Sequence, residues 1–151
     1  MHGFSGTPGK VHIIQMVRGD YFLESIEKYI NDNGIVNSVV MAGLGTIETC
    51  HIHSVSTITF PVENSFTDYP PQPLGVASVN GFIANGQPHI HMTFSNYVDG
   101  RIQTFTGHLE HKTKVLCRME VMLLDVEGIN LERVLDENGI EILRNKHKKD
   151  N

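Results

Sequence analysis

The sequence predicts a single α+β domain in which a largely antiparallel, strongly curved β-sheet packs with one main α-helix. Three observations carry this reading. A sustained helical stripe falls in one place, on Phe22, Leu23, Ile26, Tyr29 and Ile30. Most other stretches are β-prone, with hairpin turns at Asn85-Gly86, Asp99-Gly100 and Asn138-Gly139. The order is β-α-β followed mostly by hairpins, without repeat or linker, and 151 residues suit one compact core.

Residues 1–9 are expected to form an N-terminal extension to a domain spanning 10–143. The first strand is expected over 10–18, K-V-H-I-I-Q-M-V-R. Gly19-Asp20 then opens the helix, with Asp20 as its N-cap and Gly34 as its C-terminal stop. A buried strand is expected over 36–42, and after Gly43-Leu44-Gly45 a second long β-prone run covers 46–60. The Pro-rich stretch 61–73 reads as a loop. Strand signals resume over 74–84, and the Asn85-Gly86 turn leads into P-H-I-H-M-T-F-S-N-Y. Asp99-Gly100 turns that strand into I-Q-T-F-T-G-H-L-E, and a further strand covers 114–126. After Gly128 a short turn or helix precedes a small hairpin ending at Leu143. The tail 144–151, R-N-K-H-K-K-D-N, reads as a disordered, solvated end.

Composition narrows the function classes. Hydrophobic content is 40% and mean hydropathy is −0.15, values of a soluble globular protein. No run of about 18 apolar residues is present, so no membrane span is expected. No secretory signal is visible at the N-terminus. Cys50 and Cys117 stand far apart outside any C-x-x-C and read as reduced thiols, which places the protein in the cytoplasm. With a net charge of −5 and no basic stripe, direct binding to a phosphate backbone is disfavoured.

The chemistry concentrates in the hairpin closed by Asp99-Gly100. Residues two apart on a strand share a face, roughly 6.5–7 Å apart along it. His89 and His91 therefore look the same way. If Asp99-Gly100 closes Val98 against Arg101, His91 opposes His108 and His89 opposes Glu110. Directly opposed β-carbons lie about 4.5–5.5 Å apart, close enough for imidazoles to share an ion. The register checks itself, because Ile90, Met92 and Phe94 then oppose Leu109, Gly107 and Phe105 on a core face. Three histidines with an open position is the arrangement of catalytic zinc, although another divalent transition metal could use the same ligands. Closing Asn85-Gly86 as a turn sets Phe82 against His89 and Asn80 against His91, which makes Asn80 a candidate for supporting the site.

Other residues are candidates beside this triad. Glu110 could act as a fourth ligand, a general base or a solvated carboxylate. Glu120, between Met119 and Val121 on a buried-looking strand, is the second acid/base candidate. His51 and His53 form another H-x-H, but turn geometry places no third ligand near them. A structural role is favoured there, with lining the same pocket as the alternative. His2, His12 and His147 have no evident partners in the sequence. Gly43-Leu44-Gly45 lacks the third glycine and following helix of a nucleotide loop and reads as tight backbone packing.

The ordered features R-G-D-Y-F-L-E-S-I (18–26), V-V-M-A-G-L-G-T-I (39–47), V-N-G-F-I (79–83), P-H-I-H (88–91), D-G-R-I (99–102), G-H-L (107–109) and M-E-V-M-L (119–123) resemble the plants-and-prokaryotes-conserved (PPC) domain family over residues 10–143. The family usually has Gly-Gly before the last histidine, where this chain has Thr106-Gly107. The resemblance implies an α+β fold, a homotrimer, and zinc ligation by His89, His91 and His108 as in single-domain prokaryotic members. The fold is also similar to that of acetolactate decarboxylase, which holds zinc with a comparable histidine set. Plant members join the domain to DNA-binding AT-hooks, and this chain has no such hook.

The expected function is therefore that of a zinc-binding PPC-domain protein, as a zinc-dependent lyase or hydrolase acting on a small polar carbonyl compound. Glu110 or Glu120 would move protons. The alternative is a non-catalytic regulatory or DNA-associated module in which the metal is structural.

Overall fold

The computed structural model describes residues 2–146. Nine strands and one helix follow one another as β1 (Thr7–Val17), α1 (Phe22–Asn33), β2 (Ser38–Val55), β3 (Asn64–Tyr69), β4 (Leu74–Ala84), β5 (Gln87–Val98), β6 (Arg101–Leu109), β7 (Lys114–Glu127), β8 (Leu131–Leu135) and β9 (Glu141–Asn145). The pairings are antiparallel. An α+β description overstates the helical part, since α1 is twelve residues long and strands dominate. No described helix is long and apolar enough to cross a membrane.

Seven strands form one sheet in the order β1-β7-β2-β4-β5-β6, with β3 on β2. A further pairing of β2 with β6, Ile52 to Leu109 and His53 to His108, bends the sheet back on itself. The N-terminal half of β2 lies between β4 and β7, and its C-terminal half between β3 and β6. One long strand thus belongs to both an open half and a closed half of the sheet.

Beta-2 also corrects the expectation of two strands split at Gly43-Leu44-Gly45. The chain runs straight through, because these glycines permit close packing. A Cβ at Gly45 (φ +146°) would meet the Arg118 carbonyl oxygen at 2.2 Å, and one at Gly43 would meet the Val79 side chain at 2.6 Å. The tight-packing reading of this motif holds.

Strand alternation places Ile14, Met16, Ile52, Ile90, Met92, Phe94, Leu109, Met119, Val121 and Leu123 in one core. The stripe on α1 joins it through Phe22, Leu23, Ile26 and Ile30. Gly34 ends the helix in the left-handed conformation, as expected. The N-cap does not follow expectation: it is Tyr21, without a side-chain cap, and Asp20 instead accepts a hydrogen bond from the Val17 amide at 2.9 Å.

Four further expectations change. The segment 61–73 is not wholly loop, since Asn64–Tyr69 pairs with β2. The turn or helix expected after Gly128 is strand β8, paired with β9 across the Asn138-Gly139 turn. That hairpin extends to Asn145, so Arg144 and Asn145 are in a strand, whereas residues 147–151, with His147, lie outside the described residues. His12 is not partnerless: it is buried, donates from Nε2 to Asp125 at 3.0 Å, and accepts at Nδ1 from the Tyr29 hydroxyl at 3.2 Å.

Candidate metal centre

The site begins with two tight turns. Asn85 and Asp99 take positive φ, each followed by a glycine that does the same, which closes two-residue hairpins. Registers follow from them. Phe82 pairs with His89, Asn80 with His91, and His91 with His108, as the residue pattern predicts. Pro88, opposite Ile83, leaves the first register intact.

The core faces of β5 and β6 look inward, so His89, His91 and His108 meet on the outer face of the sheet. Ring centroids are 5.4 Å apart for His89 and His91, 4.6 Å for His89 and His108, and 5.4 Å for His91 and His108. One ring nitrogen from each lies within 4.8 Å of the others. His89 Nε2 and His91 Nε2 are 3.3 Å apart. A tetrahedral ion with Zn–N bonds of about 2.0–2.1 Å would set its nitrogens about 3.3–3.4 Å apart. The residues present therefore fit a small tetrahedral cation.

Electrostatics agree with the geometry. Burial pushes His108 down to about 4, helped by His53, His89 and His91 around it. Burial also lowers His89, followed by Arg133 and His91, and it lowers His91, followed by His53. Three neutral imidazoles with free lone pairs are the form that a metal requires.

Closure of the sheet adds a fourth histidine. His53 on β2 pairs with His108, and their rings stack at 4.3 Å. Across β2, β6, β5 and β4 the outer face thus reads His53, His108, His91, Asn80 in one row. Asn80 is exposed at the end of that row. His53 Nδ1–H donates to Glu110 Oε1 at 2.6 Å, leaving Nε2 with the lone pair. His53, His108 and Glu110 form a second group whose ligand atoms lie within 4.8 Å, sharing His108 with the first.

Glu110 accordingly does not sit opposite His89. The chain leaves β6 at Leu109, the Glu110 amide donates to the His51 carbonyl at 2.9 Å, and its carboxylate turns to His53. Glu120 is also displaced from expectation. Its side chain is half-exposed on the outer face of the open half, with register partners Gln15 and Leu44, and its Oε1 is 3.4 Å from Arg118 Nε. His51 takes no part in either group and binds Asp68 on β3, Nδ1 to Oδ1 at 2.6 Å. Both cysteines are free, and burial pushes the Cys50 thiol up to about 12, which removes it as a nucleophile.

Two residues near the triad had no sequence signal of comparable strength. His53 could be found from its H-x-H, but its partners come from a distant strand. Arg133 on β8 lines a cavity with His89 and donates to the Gln87 and Phe82 carbonyls at 2.9 and 3.2 Å.

Comparison with known proteins places this architecture. Residues 3–127 match the model of the Plants and Prokaryotes Conserved (PCC) domain. No curated protein matches the chain. A metal-containing protein from Archaeoglobus fulgidus superposes with a TM-score of 0.79 at 23% identity, covering 94% of this chain and 98% of that one. A plant- and prokaryote-conserved protein from Pyrococcus horikoshii gives 0.77 at 21% identity, covering 98% and 99%. A structure from Bacteroides thetaiotaomicron, named as a candidate DNA-binding protein, gives 0.70 at 14% identity, covering 93% and 98%. At these identities the structural likeness speaks to fold.

Proposed function

Given that the chain belongs to the Plants and Prokaryotes Conserved domain family, we propose that it is a metal-binding member in which His89, His91 and His108 hold one divalent transition metal, zinc foremost. The convergence of three neutral imidazoles within 4.8 Å on one outer face carries this reading. The Archaeoglobus neighbour, named as metal-containing, agrees with it. A bound zinc supplies Lewis acidity toward a carbonyl or a water.

The chain's own residues supply the rest. Glu110 holds the His53 ring by its Nδ1–H, so that Nε2 can take a proton beside His108. Glu110 is thus a positioning residue acting through His53. Proton handling falls to this pair rather than to Glu120, whose carboxylate faces Arg118. Asn80 offers an amide at the open end of the row, where it can orient a polar group. The corresponding reaction class is a lyase or hydrolase step on a small polar carbonyl compound.

Metal analysis of protein purified without a nickel column tests the reading directly. About one transition metal per chain is expected, and His91→Ala should weaken binding at least a hundred-fold, about 2.7 kcal/mol. A metal-free protein of equal stability, or full retention by His91→Ala, overturns it.

We also propose a homotrimer in the cytoplasm. Val11, Ile13, Val17 and Leu44 are exposed on the open half of the sheet, the kind of surface that subunits cover. Light scattering should return about three times 16.9 kDa. The second reading, a DNA-associated module with a structural metal, is favoured by the name of the Bacteroides neighbour and opposed by the net charge of −5. Absence of duplex binding at low salt removes it.

A further inference from the structure

We infer that the cavity between the β8–β9 hairpin and the start of β5 binds a small monocarboxylate, anchored by Arg133 and set against His89. The inference deepens the metal reading, since its functional meaning rests on His89 being a ligand. The carboxylate contact itself does not require the ion.

The cavity measures about 190 Å³ and is lined by Phe82, His89, Arg133, Glu141 and Leu143. That is below the usual range of drug-sized pockets, about 300–1,000 Å³, so the occupant is small. Its most informative wall is Arg133. The guanidinium is half-buried, and its two hydrogen bonds, to the Gln87 and Phe82 carbonyls, are both to neutral acceptors. Among the described residues no carboxylate oxygen comes within 4.0 Å of it. A guanidinium has five N–H donors, so three remain. A half-buried cation with no carboxylate in contact is costly, and one already oriented by the backbone loses little entropy on taking a carboxylate.

The remaining lining sets the selectivity. Burial lowers the Arg133 guanidinium, and Glu141 in the same wall opposes that only in part through its charge. A second negative charge on the ligand would meet that carboxylate, which disfavours dicarboxylates and phosphates relative to a monoanion. Phe82 and Leu143 offer apolar contact to the rest of the molecule. With the carboxylate on Arg133, that remainder abuts His89, at the edge of the histidine triad. The hairpin carrying Arg133 and Glu141 lies beyond residues 3–127, so the family match does not supply this feature.

The test is an NMR titration of the full-length protein with propionate and with propionamide, an isostere without the charge, followed at the backbone amide of Leu143 in the pocket wall. Propionate should bind at least about tenfold more tightly than propionamide, the difference expected when one ion pair is replaced by a neutral contact. Arg133→Gln should erase that preference and Arg133→Lys should keep part of it. If the hairpin fails to form in Arg133→Gln, Glu141→Gln decides, since Glu141 is exposed and makes no side-chain hydrogen bond among those described. It should tighten propionate about threefold, by removing a like charge. Equal affinities for the two probes, or no effect of Glu141→Gln, overturns the inference. Metal content measured on the same samples separates the two claims. A charge preference in metal-free protein sinks only the metal reading, and metal-loaded protein without a preference sinks only the pocket.

Discussion

The two halves of the sheet share one core and differ on their outer faces. On the closed half, β2, β6 and β5 present His53, His108, His91 and His89, with Thr93 and Thr106 beside them. On the open half, β1 and β2 present Val11, Ile13, Val17 and Leu44 at 53%, 76%, 58% and 54% exposure. Backbone pairing is of the same kind in both. The contrast teaches that inward-facing positions specify the fold, while outward-facing positions on the same strands are free to carry chemistry in one half and apolar surface in the other. Substitutions on the two sides of one strand should therefore separate stability from binding.

The largest effect is expected inside. Phe94 is fully buried on β5, edge-on to Tyr69 at 4.9 Å and tilted against Phe105 at 5.6 Å. Phe94→Ala should cost about 3–5 kcal/mol, from lost transfer energy and the cavity left behind. For a chain of this size that lowers Tm by about 10 °C. His91→Ala, three residues earlier and facing outward, should leave the metal-free Tm nearly unchanged while removing the metal. Similar losses of metal-free stability from both changes would break the separation of faces.

Glu110→Gln sharpens the comparison within the closed half. Two ligand groups share His108, one with His89 and His91, the other with His53 and Glu110. If the ion sits in the first, Glu110 acts only through the orientation of His53, and its loss should weaken metal binding about tenfold. If the ion sits in the second, Glu110 is a ligand and its substitution should match or exceed His91→Ala. Isothermal titration with zinc on both variants ranks them.

This distinction marks how far the site was legible in the sequence. His89, His91, His108 and Asn80 fell into place because each register is set by a two-residue turn close in sequence. His53 and Glu110 meet across 57 residues, through a sheet closure that no local turn specifies. The same distance effect hides the true place of Glu110, since the β5–β6 register ends at His91–His108, two pairs short of His89–Glu110. Beta-3 was obscured by the prolines around it, and β2 by glycines that usually interrupt strands. Glu120 looked buried because its neighbours Met119 and Val121 are, yet alternation turns it to the outer face.

The smallest expected effect concerns His111, outside the row, whose pH dependence has the opposite sign to that of His108. In metal-free protein His108 is held below its unfolded value of about 6.5, down to about 4. Unfolding then binds protons, so its contribution falls as pH drops below 6.5 and the penalty is complete below about 4. His111 is raised, chiefly by its hydrogen bond to Glu27 at 3.0 Å. Its contribution is fully present below pH 6.5 and is lost as pH rises through its folded value. Both partners of that pair are largely exposed, which limits it to about 0.2–1 kcal/mol. Urea denaturation should therefore show Glu27→Gln destabilising the protein at pH 5.5 and leaving it unchanged at pH 8.5. His108→Gln should relieve acid sensitivity below pH 6. If Glu27→Gln mattered only at high pH, the His111 pair would have the wrong sign. The contrast between His108, held neutral by burial, and His111, held charged by Glu27 beside α1, would then fail.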